Sequence, residues 1–148
     1  MMNVKEKIHD SFNRQGLMTT LGARLIDVQP GRVQIEIPYS PGLTQQHGFF
    51  HAAALTAAAD TAGGYAALSL MDTQDDVLAV EFKVNLLRPA VGERLVATAT
   101  VLKSGRTLTV CRVDAHTWTG PQATLVAVMT QTNIRLRRRQ EGSTESGP

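Results

Sequence analysis

Residues 49–71, "FFHAAALTAAADTAGGYAALSLM", are rich in Ala, Leu and Gly and carry a single charge, Asp60, near the middle. The run is too long and too alanine-rich for a strand, so it predicts a helix. Side chains this small let other backbones come close. A membrane span is the rival reading, and the central Asp60, the flanking His47 and His51, Thr56, Thr61 and the Gly63-Gly64 pair argue against it. An ionised carboxylate in apolar surroundings is costly unless paired or hydrogen-bonded, so Asp60 must have a purpose.

The rest of the chain supplies what this helix packs against. Residues 4–15 predict a short amphipathic helix, with Val4, Ile8 and Phe12 at a spacing of four. "GARLIDVQPGRVQIEIPYS" reads as two strands about a Pro30-Gly31 turn, and "SPGLTQQHG" as a loop. After the break at "DTQDD", residues 77–87, 93–103, 106–118 and 123–136 alternate as strands, with turn signals at Ser104-Gly105 and Gly120-Pro121. Short links predict an antiparallel meander after the helix rather than a βαβ repeat. The expected fold class is α+β, a curled antiparallel sheet around one central helix. The domain spans 1–136, and the polar residues 137–148 read as a disordered tail.

Charge and cysteine content narrow the function. Four of the fifteen basic residues lie in "RLRRR" (135–139), and the remaining eleven are matched by eleven Asp and Glu before that run. The body is thus neutral and the arginine run reads as a solvated chain end. It lacks the basic face and aromatic platforms that nucleic acid would need. One cysteine, Cys111, excludes a disulfide framework and reads as core. With no apolar leader in the first residues, a cytoplasmic location is expected.

On the helix, residues 53, 56, 57, 63, 64 and 67 share the Asp60 face, and only Thr56 among them offers a hydroxyl. Upstream, the loop ending at His47-Gly48 and the residues about His51 mark the helix N-terminus, where free N–H groups favour developing negative charge. An amide that holds an oxyanion, with a carboxylate about two turns away, is equipment for acyl transfer. Gln45 and Gln46 could orient a water or a carbonyl. The competing reading makes Asp60 a structural cap. His47 and His51 have the i,i+4 spacing of zinc ligands, but "HGFFH" lacks the H-E-x-x-H glutamate and a third ligand, so no metal is expected.

The order and spacing of "QQHGFFHAAALTAAAD", "VEFKVNLLRPA" and "KSGRTLTVCRVD" resemble the hot-dog fold thioesterases, in the phenylacetate-degradation (PaaI-like) branch, over residues 15–136. The family carries H-G-G with an acidic residue nine positions after the His. His51 and Asp60 have that spacing, which makes Asp60 the general base or nucleophile by resemblance. Ala52 then stands at the first Gly, whose backbone N–H polarises the thioester carbonyl, and Gln45 at an Asn or Gln six residues before the His. Gly64 falls where some relatives carry a hydroxyl residue, and Ala79 where they often carry Ser or Thr.

The resemblance implies hydrolysis of medium-chain or aromatic acyl-CoA without a cofactor. It also implies a homodimer, or a dimer of dimers, with sites shared between chains. Arg88, Lys103 and Arg106 are the expected contacts of the CoA phosphates, or else plain solvated turn residues. H-A-A for H-G-G keeps the amide donor and narrows the approach. The alternative is a non-catalytic acyl-CoA-binding protein in which Asp60 is kept for structure.

Overall fold

The structure, a computed structural model, describes residues 1–138. Its helices are α1 (Val4–Asn13), α2 (Gly16–Thr20) and α3 (Ala52–Leu68), with a 3-10 turn at Pro41–Leu43. Its strands are β1 (Arg24–Gln29), β2 (Arg32–Pro38), β3 (Asp76–Leu86), β4 (Arg94–Ser104), β5 (Leu108–Thr119) and β6 (Gln122–Leu136). They form one antiparallel sheet in the order β1-β2-β4-β5-β6-β3.

The sheet curls around α3, as the expected hot-dog fold requires. Ala54, Ala58, Ala59, Ala62, Ala66 and Ala67 are buried in the concave face among Val33, Ile35, Ala97, Val113 and Met129. A helix buried on nearly every side must be apolar nearly all round, which explains the alanine run. α3 is shorter than the predicted 49–71. Phe50 is held by a bridge to Thr44, and the His51 ring caps the helix by accepting the Ala53 N–H at 2.9 Å. Among the described residues no helix is long and apolar enough to cross a membrane.

The meander is half right. β4, β5 and β6 follow one another, but β3 lies beyond β6 rather than beside β4. Residues 87–93 contain Pro89 and no tight-turn dipeptide, so they cannot close a hairpin. They carry the chain across the end of the wrapped helix instead. β3 is therefore an edge, with Leu78, Val80, Phe82 and Leu86 each at least 45 % exposed.

The N-terminal helix is real and its Asn3–Glu6 capping box fixes where it starts. It ends two residues early, and α2 follows unanticipated. The arginine run does not begin as a solvated end: Arg135 is a mostly buried β6 residue facing Asp75 at 3.4 Å. Arg137 and Arg138 are exposed, and the remainder of the expected tail, 139–148, lies outside the described residues.

Candidate functional site

Asp60 projects from the middle of α3 into a cavity of about 280 Å³ whose lining includes Gly64, Tyr65, Ala79 and Asn133. Its partner is not Thr56 but Gln131, reaching across from β6. The Gln131 Nε2 donates to Asp60 Oδ1 at 2.5 Å and to the Asp60 carbonyl at 3.1 Å. Burial raises the Asp60 pKa above the ordinary aspartate value, and the Gln131 hydrogen bond opposes that rise. A carboxyl held this way accepts a proton more readily than a free one, as a general base must.

Gln131 is fully buried and its place is cut into the helix. A Cβ on Gly63 would lie 1.9 Å from Gln131 Oε1, so only glycine leaves room for the amide. The same Oε1 accepts from Asn133 Nδ2 at 3.1 Å, and that nitrogen also faces Cys111 Sγ at 3.8 Å. Burial pushes the Cys111 thiol up to about 11, so it stays protonated and its role is packing.

A second cavity, about 440 Å³, opens at the N-terminal end of α3 between Gln45, Phe50, Ala52, Leu55, Leu87 and Arg88. Ala52 is the first helical residue, where the N–H has no partner within the helix. Gln45 Oε1 accepts from the backbone of His47 at 2.5 Å and of Phe49 at 3.4 Å. Both partners are donors, so its Oε1 faces the loop and its Nε2 is turned away from them. His51 acts on the backbone as the helix cap.

One chain therefore splits the expected site. Gln45, Ala52 and Arg88 line one cavity, while Asp60, Gly64 and Ala79 line the other. Eight residues of helix separate Ala52 from Asp60, a rise of about 12 Å. Lys103 and Arg106 sit at the exposed β4–β5 hairpin and line neither cavity. Among the described residues no group of three or more His, Cys, Asp or Glu could hold a metal ion.

Sequence reasoning missed Gln131 and Asn133, together with the Ser11–Tyr65–Gln15 hydrogen bonds that dock α1 beside the Asp60 cavity. One signal was available. Along β6 the inward parity runs Ala127, Met129, Gln131, Asn133, so two carboxamides continue an apolar face.

The family model that matches this chain is the thioesterase superfamily, over residues 47–124. The crystal structure of a thioesterase family protein from Silicibacter pomeroyi is 48 % identical and superposes with a TM-score of 0.89, covering 91 % of this chain and 99 % of the other. An esterase candidate of Halobacterium salinarum is 33 % identical, over 74 % of this chain and 76 % of its own length. The Escherichia coli PaaI protein of the phenylacetic acid degradation operon shares the fold at 22 % identity, with a TM-score of 0.80 and coverage of 90 % and 93 %.

Proposed function

This chain belongs to the thioesterase superfamily and is a thioester hydrolase, and we propose that its substrate is a medium-chain or aromatic acyl-CoA. The Ala52 N–H and the Gln45 Nε2 receive the carbonyl oxygen as it gains charge. Asp60 acts across the thioester carbon, as general base to a water or as nucleophile. His51 keeps the helix end open by taking the Ala53 N–H, which leaves the Ala52 donor for substrate. Arg88, beside the first cavity, meets the CoA phosphates, with Lys103 and Arg106 as outlying contacts.

One observation carries this reading. A half-buried carboxyl with a raised pKa, fixed by a buried carboxamide, lies in a cavity on the same helix whose free N-terminal donor opens into another. A purely structural aspartate would have no need of a cavity. The apolar edge β3 supports a homodimer joined strand to strand, which would bring Ala52 of one chain toward Asp60 of the other. Two dimers then pair, in a cytoplasmic protein whose one cysteine is buried and unpaired.

A panel of acyl-CoA and aryl-CoA esters, read by free-thiol release, tests the proposal. Turnover of at least one medium-chain or aromatic ester by the wild type, and its loss in Asp60→Asn, is expected. Binding without thiol release would favour the acyl-CoA-binding alternative.

A further inference from the structure

The hydrogen-bond chain behind Asp60 has a direction, and that direction fixes one more atom. The Asp60 carbonyl and carboxylate are both acceptors, so the Gln131 amide must turn its Nε2 to them. Its Oε1 is then committed to the other side, where it takes the Asn133 Nδ2. Asn133 is thereby left with its carbonyl Oδ1 turned away. That oxygen is fully buried and has no hydrogen-bond partner among the described residues. Such an atom is costly unless something donates to it.

Asn133 lines the same cavity as Asp60. Two residues without polar side chains lie beside its Oδ1. An ideal Cβ on Gly64, one helical turn beyond Asp60, would lie 4.0 Å from that oxygen. Across the sheet Asn133 is paired with Ala79, next to the β3 bulge at Ala79/Glu81, and Ala79 has no hydroxyl. The two positions without a polar side chain thus flank a buried acceptor that has no partner.

We propose that Asn133 holds the hydrolytic water for Asp60, which rests on the hydrolytic reading above with Asp60 as general base. One water proton points to Asp60 and the other to Asn133 Oδ1. Two acceptors leave the water oxygen's lone pairs facing the substrate, whereas a donor at Asn133 would consume one. As the water oxygen bonds to the thioester carbon, one O–H bond breaks and its proton goes to Asp60. The carbonyl electron pair moves onto oxygen, facing the Ala52 N–H. Collapse then breaks the C–S bond, and the departing thiolate takes the proton back from Asp60.

The test is rescue by a hydroxyl from the opposite wall. Asn133→Ala is expected to lower kcat about 10- to 100-fold with little change in KM. Asn133→Ala/Gly64→Ser should regain about tenfold or more of that loss, and Asn133→Ala/Gly64→Ala should not. A purely structural role predicts no difference between the two double variants, and that result overturns the proposal. So does an Asn133→Ala enzyme with unchanged kcat. A high-resolution crystal structure of the wild type should show an ordered water within hydrogen-bond distance of both Asn133 Oδ1 and Asp60. Its absence overturns the proposal even if Asn133→Ala fails to fold. If the wild type hydrolyses no thioester, the enzyme reading fails by itself, and the bound water still decides the Asn133 site.

Discussion

The Gln131 side-chain nitrogen sits 2.5 Å from Asp60 Oδ1 and 3.1 Å from the carbonyl oxygen of the same residue. One amide thus grips the helix backbone and the carboxylate together, which fixes the Asp60 rotamer relative to the sheet. The donor also favours the ionised carboxylate, against the burial that raises its pKa.

Gln131→Leu should therefore move the acid limb of the pH–kcat/KM profile to higher pH. Asp60 must be ionised to act, so activity rises as pH passes through its pKa. Removing the donor leaves desolvation unopposed and shifts that pKa further up. The magnitude of kcat on the plateau should also fall, because the carboxylate loses its fixed orientation. A profile superimposable on wild type would show that Gln131 does not tune Asp60.

The same shift makes Asp60 a cost to stability. Its folded pKa lies above the unfolded value of 3.8, so below that value both states are protonated and nothing is lost. As pH rises the unfolded state ionises first, and stability falls until the folded carboxyl has also ionised. Asp60→Asn imitates the protonated form throughout. Its Tm should exceed that of wild type at pH 7, with the gap closing as pH falls toward 3.8. Equal gaps at both pH values would show that desolvation of Asp60 is not what separates them.

Gly63 and Gly64 should respond oppositely to alanine. A Cβ on Gly63 would occupy the Gln131 Oε1 position, 1.9 Å away, so the buried amide must be driven out. Overpacking of this kind costs about 1–3 kcal/mol. At Gly64 the nearest heavy atom is 4.0 Å from the added Cβ, and alanine gains up to about 1 kcal/mol of helix propensity. Thermal or urea melts of Gly63→Ala and Gly64→Ala measure both signs at once.

The contrast between neighbouring glycines shows how far the sequence could be read. The alanine run, the alternating strands and the lone Asp60 were legible because helix and strand periods are local properties of the chain. The partner of β3 was not, because alternation tells which side chains share a face and not which strand lies alongside. Gln131 was hidden for the same reason. Its inward parity could be counted along β6, but its meeting with Asp60, 71 positions away, depends on how the sheet curls over α3. His51 was read from the motif and its place beside the helix N-terminus, and its work as a helix cap needed the ring orientation seen at Ala53 N–H.

Ala52 offers a test of the oxyanion donor that spares the fold. Proline is well suited to the first position of a helix, and His51 already has φ −64° and ψ 139°, the conformation a residue before proline prefers. Ala52→Pro should keep its Tm within a few degrees of wild type while losing about 100-fold or more in kcat. Ala52→Gly keeps the N–H and should stay active. Normal turnover by a folded Ala52→Pro enzyme would place the oxyanion elsewhere.

The separation of Gln45 and Ala52 from Asp60 into two cavities of one chain leads to the last prediction, that working sites are built by two chains. Apolar residues on both faces of β3 leave its edge suited to pair with its own copy about a two-fold axis. Such pairing would run the two α3 helices antiparallel and oppose the N-terminal end of each to the middle of the other. Gln45→Ala and Asp60→Asn should each be nearly inactive alone. Denatured and refolded together, they form hybrid dimers in which one site collects both lesions and the other is intact. Activity should then return to about half of the wild-type specific activity per hybrid dimer, as one of two sites is restored. If each chain held a whole site, every site would carry a lesion and mixing would restore nothing. Hybrid formation confirmed by native mass spectrometry, with no activity recovered, would therefore rule out the shared site.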